Sequence, residues 1–182
     1  MKKGAAHIRS APFFARRDML ASETTRIGGT DLRQDEGGLV RMEPADFKGA
    51  KIALICDGHL IAYQRDDKAD IPFPDMWDLP GGGREMDETP MDCALRETWE
   101  EFGIRVDRSS VVWERYYPAE RPDAPGSYFH VAHLDGGFGT VAFGDEGQRW
   151  EIMSIARFLD HPHVVGHLKV RLRHYLSEME AN

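Results

Sequence analysis

Apolar residues recur along this chain with two different periods, and the switches between them mark its elements. The run AKIALIC, Ala50 to Cys56, is apolar and β-compatible; Asp57-Gly58 is a hairpin turn signal, and HLIAYQ follows as a second strand. A loop with Pro72, Pro74 and the apolar pair Met76-Trp77 leads through WDLP into Gly81, Gly82 and Gly83. Three glycines in a row predict backbone that needs positive φ or a close approach by a ligand. Thr89-Pro90 then reads as the N-cap and first position of a helix. Met91, Ala94, Leu95, Thr98, Trp99 and Phe102 keep its 3.6-residue period, and Gly103 predicts its end.

Further on, VVWERYY, SYFHVAHL and RWEIMSI read as strands, with PAERPDAPG as a loop between the first two. Ser154 caps a short turn, IARFL. A last helix is predicted from about His163 to Glu178, with Val164, Val165, Leu168, Leu172 and Leu176 on one face. The sum is an α/β (α+β) domain, a mixed sheet flanked by helices.

Composition adds a boundary. Of 182 residues, 41% are hydrophobic and 30% charged, enough apolar material for one domain with a real core. Net charge is −8, which argues against a non-specific nucleic-acid binder. The imbalance is local: residues 1–46 carry 8 basic and 7 acidic side chains, whereas 47–182 carry 15 and 24. The first stretch also lacks a sustained hydrophobic period. Residues 1–46 are therefore expected to be an irregular arm, and 47–182 the folded domain. No apolar run is long enough to span a membrane, and MKKGAAHIRSAPFFARRDML lacks the apolar centre of a secretory signal. Two cysteines, Cys56 and Cys93, are too few for a disulfide scaffold and predict a reducing, cytoplasmic setting.

The chemistry concentrates on the helix after Pro90. Glu97, Glu100 and Glu101 stand at i, i+3 and i+4, on one narrow face. Like charges at this spacing destabilise a helix by roughly 0.2–0.5 kcal/mol per pair. They also crowd its C-terminal half, where the macrodipole disfavours anions. An acidic face often does nothing but meet water. Three carboxylates placed against the helix's own electrostatics fit a divalent cation better, Mg²⁺ above all, since it takes oxygen ligands and shares them with phosphates.

From Gly82 the chain reads G-x5-E-x7-R-E-T-x-E-E-x-G-I, through Glu88, Arg96, Glu97, Thr98, Glu100, Glu101, Gly103 and Ile104. This resembles the Nudix box, G-x5-E-x7-R-E-U-x-E-E-x-G-U with U aliphatic. All seven fixed letters are present, a coincidence of roughly 10⁻⁸ per starting point at ordinary residue frequencies. Thr98, at the first U, is the one departure. The flanking LPGG and Glu85 are also similar to the family. The box covers 23 residues, and the likeness in layout extends over about 47–178.

The resemblance implies a Nudix-type α/β/α sandwich, and hydrolysis of a nucleoside diphosphate linked to another group, with Mg²⁺ or Mn²⁺ as cofactor. It implies that Glu97, Glu100 and Glu101 hold the metal, with the Gly81 carbonyl as a further ligand. Arg96 is assigned to orienting the glutamates, with phosphate contact as the other option. Glu88 and Gly103 are structural in the box, and Gly82 is placed next to substrate. The general base stays open between Glu97 and Glu146. Glu146 lies in DEGQ, which resembles the E-G-Q segment of MutT-type nucleoside triphosphatases, on a glycine-rich loop expected to be mobile. Arg65, ending the second strand, is a candidate phosphate contact; a plain surface arginine is the bland alternative.

Other groups weigh less. His161, His163 and His167, or His130 and His133, lack a zinc-ligand spacing. Tyr116, Tyr117, Phe129, Phe73 and Trp77 are candidates for stacking on a base, although strand aromatics are more often core. Cys93 reads as a small helix residue. For the substrate, Gly81-Gly82 favours a (d)NTP or modified nucleotide. Pro118, 14 residues after Ile104, favours ADP-ribose or a nucleotide sugar. A sensor that binds a nucleotide without hydrolysing it is the non-enzymatic alternative; it would not need the full glutamate set. Net charge makes long nucleic acid the least attractive partner. A homodimer is an assembly the family uses, though no residue here specifies it.

Overall fold

The computed structural model of the chain describes residues 25–27, 30–34 and 40–181. Three short strands open it: β1 (Thr25–Ile27), β2 (Thr30–Gln34) and β3 (Val40–Pro44), an antiparallel meander of their own. The second half of the expected irregular arm thus has regular backbone pairing. The apolar alternation here, Val40 and Met42 in VRMEP, is too short to mark a strand by itself. The expectation for residues 1–24 lies outside the described residues.

The main sheet starts at Phe47. Strands β4 (Phe47–Cys56) and β5 (His59–Gln64) form the predicted hairpin, and Asp57 and Gly58 both take positive φ, 46° and 71°. That pair of left-handed residues is what a two-residue turn needs to match the twist of its strands. Next come β6 (Trp77–Asp78) and β7 (Gly81–Gly83), then helix α1 (Pro90–Phe102), a 3-10 turn at Arg108–Ser110, β8 (Val111–Tyr117), β9 (Gly126–His133) and β10 (Arg149–Ser154). Helices α2 (Ile155–Asp160) and α3 (Gly166–Glu180) finish the chain.

The sheet order is β10-β5-β4-β9-β8, with β6 beside β5 and β7 beside β4. Only β4 and β9 run parallel in this order; the other neighbours are antiparallel, so the sheet is mixed. Both faces of β4 are buried. Ile52 and Leu54 pack with Cys93, Ala94 and Phe102 of α1; Ala53 and Ile55 pack with Leu168, Leu172 and Tyr175 of α3. Burial on both faces is why this strand reads as an unbroken apolar run rather than an alternating one. Helices on both sides complete an α/β/α sandwich.

Two boundaries differ from expectation for visible reasons. The glycine triplet is a strand, because β4 offers it a partner edge: Gly81, Gly82 and Gly83 pair with Lys51, Ala50 and Gly49. A Cβ on Gly81 would lie 2.2 Å from the Ala50 carbonyl oxygen, at φ +125°. Close approach of backbones, not a loop, is what selects glycine there. The last helix begins at Gly166 rather than His163. The preceding residues are held extended against β6, with the Trp77 amide donating to His163 O at 2.7 Å and the Val165 amide to Trp77 O at 3.0 Å.

Candidate active site

Helix α1 is set in place by its caps. Thr89 Oγ1 accepts from the Asp92 amide at 3.1 Å, and Gly103 takes φ 67°, its amide reaching Trp99 O at 2.8 Å. An N-cap of this kind contributes about 1 kcal/mol. The loop before β10 closes the C-terminal end: Ala142 and Gly144 amides donate to Phe102 O (2.9 Å) and Glu101 O (2.8 Å). These are carbonyls that a helix end otherwise leaves unpaired. Thr98, the departure in the box, is fully buried with its hydroxyl donating to Ala94 O at 2.7 Å. The hydroxyl is satisfied within the helix, so threonine packs inward as an aliphatic residue would.

The helix's buried side differs slightly from the expected stripe. Cys93, Ala94, Thr98, Glu101 and Phe102 are buried, while Trp99 is 45% exposed beneath the Arg105 guanidinium, 4.0 Å from its ring. The rotation brings Glu101 onto the sheet. Only 7% exposed, it accepts from the Gly81 amide at 2.9 Å through Oε2. Burial pushes its carboxyl up to about 7, against the pull of Lys51 and of that amide. Burial also raises Glu97, with Arg96 opposing. The Glu97 carboxylate lies over Gly82, where an added Cβ would be 2.5 Å from its atoms.

Arg96 ties the rest of the acidic set together. Its guanidinium donates to Glu88 (2.6 and 3.2 Å), Glu97 (3.0 Å), Glu100 (2.8 Å) and Gly83 O (2.9 Å). The Glu88 pair holds that carboxyl below its usual range and Arg96 above its own. Glu88 also accepts from the Glu85 amide at 3.0 Å, fastening the loop before the helix. Arg96 does bind the glutamates it was expected to orient.

A cavity of about 1100 Å³ opens beside these groups. Gly81, Gly82, Glu97, Glu101, Arg65 and Glu146 all line it. Arg96, Glu88 and Glu100 do not. Of the three glutamates expected to hold the metal, Glu97 and Glu101 line the cavity, and among the described residues no three His, Cys, Asp or Glu side chains are gathered as a metal site. Glu100 is turned to Arg96 instead, its side chain 55% exposed. The donors facing the cavity, Glu97 and Glu101, are still all oxygen and held against their charged form by burial. That chemistry fits a hard divalent cation, which would favour the ionised carboxylates. The histidine groups form no metal site among the described residues either.

Arg65 is not a free surface arginine. It donates to Asp78 (2.7 Å) and Pro72 O (2.9 Å). Asp78, 3% exposed, also accepts from Lys51 Nζ at 3.0 Å. Lys51, Asp78 and Arg171 line the cavity and escaped the sequence reading, and His167, weighed there only for zinc, lines it too. A lysine inside the apolar run of β4 was the one signal available. Glu146 is exposed at the rim. Its loop, expected to be mobile, is pinned on both sides of it, by Gly144 to Glu101 O and by the Gln148 amide to Gln64 O, both 2.8 Å. Of the candidate stacking rings, Trp77 and Phe129 are core, and Tyr117 and Phe73 reach the cavity.

A family model described as "NUDIX domain" matches residues 47–173. A "MutT-like protein" of Streptomyces ambofaciens is 49% identical over 51 residues, 28% of this chain and 29% of that protein. The "m7GpppN-mRNA hydrolase NUDT17" of Homo sapiens is 28% identical over 115 residues, 60% of this chain and 33% of that protein. The chain thus spans about a third of the length of these curated relatives. Among solved structures, a bifunctional NMN adenylyltransferase/ADP ribose pyrophosphatase from Francisella tularensis, complexed with AMP and Mn ion, superposes with a TM-score of 0.60. It is 21% identical and covers 73% of this chain and 42% of that one, a likeness of fold.

Proposed function

This chain belongs to the NUDIX family, and from that premise we propose that it hydrolyses a phosphoric anhydride bond in a nucleotide-type small molecule, with Mg²⁺ or Mn²⁺ as cofactor. The observation that carries the reading is the pairing of Glu101 and Glu97 at one wall of the cavity, the first buried on the Gly81 amide and the second above Gly82.

Glu97 and Glu101 are the residues that would hold the cation, with the Gly81 carbonyl as a further ligand and Glu100 joining them once its side chain turns from Arg96 to the cavity. When bound, the cation supplies positive charge to phosphate oxygens and a more acidic water. Glu97 or Glu146, both lining the cavity, takes the proton of the attacking water. Arg96 holds Glu97 and Glu100 in orientation. Arg65, set on Asp78 at the cavity wall, offers its remaining N–H groups to a phosphate. Residues 47–182 are the working unit, and two unpaired cysteines suit a cytoplasmic setting.

The favoured substrate is a (d)NTP or modified nucleotide, since Gly81-Gly82 follows the pattern of the triphosphate cleaners. ADP-ribose or another nucleotide sugar is the second reading, favoured by Pro118 in the cavity lining. The test is a panel with Mg²⁺ and with Mn²⁺: natural and oxidised dNTPs, ADP-ribose, NADH, nucleotide sugars, dinucleoside polyphosphates and, in view of the human relative, capped RNA ends. Pyrophosphate released from a triphosphate supports the first reading. AMP from ADP-ribose supports the second. Tight nucleotide binding without turnover would make the chain a sensor.

A further inference from the structure

Arg171, on α3, lies with its guanidinium 4.5 Å over the Tyr117 ring and donates through Nη2 to Ser127 Oγ at 2.8 Å. Among the described residues it makes no ion pair with a carboxylate. Its situation contrasts with the cavity's other partly buried cations, Lys51 and Arg65, which share Asp78. Burial holds the Arg171 guanidinium below its ordinary basicity, with only Tyr117 opposing. A charge drawn out of water without a counter-ion is unfavourable unless something else supplies one. Arginine has five N–H donors in a planar fork. One bond to Ser127 and one face on Tyr117 leave most of that fork unspent, in the wall of the cavity.

The strand registers fix how far this group stands from the glutamates. Gly81, which anchors Glu101, pairs with Lys51 on one side of β4; Phe129 pairs with Lys51 on the other. Ser127 is two residues before Phe129. Two strand spacings across and two residues along put Ser127 on the order of 10–12 Å from Gly81. Arg121, Glu120 and His167 line the same cavity, and among the described residues Arg171 donates to Ser127 and to no carboxylate.

We infer that Arg171 holds an anionic group of the substrate, a phosphate, at the end of the cavity remote from Glu97 and Glu101. The substrate class is then a nucleotide with negative charge at two separated places, as in one that carries a further phosphate away from its phosphoric anhydride. This rests on the cavity being the hydrolytic site. Tyr117 keeps the guanidinium flat and Ser127 fixes its rotation, so the fork meets two phosphate oxygens at once.

The test is a calorimetric titration of inorganic pyrophosphate into the full chain in EDTA, which reads anion binding without metal or turnover. Arg171→Met should weaken binding about 10-fold or more, the range for losing a charged hydrogen bond. Arg171→Lys keeps the charge but not the fork; it should recover part of the affinity and guards against misfolding as the explanation. Pyrophosphate binding in a folded Arg171→Met protein as tight as in the wild type would overturn the inference, as would no binding by the wild type. Arg171-dependent binding in a chain that turns over no substrate would sink the hydrolase reading and leave the anion site standing.

Discussion

The Gly81 amide donates to Glu101 Oε2 at 2.9 Å, so the strand of glycines and the acidic helix meet through one hydrogen bond at a buried carboxyl. The contact explains why glycine and glutamate occur together here. A side chain on Gly81 would strike Ala50, and without the amide the buried Glu101 carboxyl would lose its hydrogen bond and keep only Lys51 to favour its charge.

Folding raises the Glu101 carboxyl from 4.5 to about 7. Between those values the folded chain keeps a proton that the unfolded chain releases. Stability from this group is therefore full below pH 4.5 and falls as pH rises to about 7, by on the order of 3 kcal/mol at most. Urea unfolding in EDTA should show the wild type losing ground to Glu101→Gln across that window, and Mg²⁺ should restore it at pH 7.5. A wild-type-to-variant difference independent of pH would contradict the burial argument.

Gly82→Ala places a methyl 2.5 Å from the Glu97 carboxylate, whereas at Gly83 a Cβ meets nothing within 4 Å. Because the clash is with a side-chain tip, the fold should survive and Glu97 should move. Turnover of Gly82→Ala is expected to drop about 10-fold or more, with Tm little changed, while Gly83→Ala behaves as wild type. Equal activity in both variants would remove Glu97 from the chemistry.

Much of this site was legible because its local signals agree. Thr89, Pro90 and Gly103 bound the helix, and Asp57-Gly58 closes the hairpin. What was not legible depends on tertiary partners. The apolar period put Trp99 inside, but in the fold Glu101 is covered, with the Gly81 amide on its carboxyl, and Trp99 meets Arg105. The same glutamates looked equivalent along the helix; Arg96 separates them by drawing Glu100 outward. Asp78, in WDLP, gave no hint that it pairs with both Lys51 and Arg65. Those partners lie 27 and 13 residues before it.

Asp78→Asn removes the shared counter-charge of Lys51 and Arg65 from a residue only 3% exposed. Breaking a pair at so buried an acceptor should destabilise the chain by roughly 2–4 kcal/mol. Equilibrium denaturation measures this directly. A loss within experimental error would mean that both cations find other partners.

Arg96→Met should leave Glu88, Glu97 and Glu100 repelling one another around an empty centre. A fall in stability of about 2 kcal/mol is expected, together with a drop in kcat that Arg96→Lys only partly reverses, since an ammonium does not reproduce the planar fork. A changed KM with unaltered kcat would instead make Arg96 a substrate contact.

The most direct measurement is the turnover of the best panel substrate, with saturating Mg²⁺, by the wild type, Glu100→Gln and Glu101→Gln, each confirmed folded by its unfolding curve. The metal-held glutamate site predicts that both variants lose about 100-fold or more in kcat. Near-normal turnover in both would contradict it.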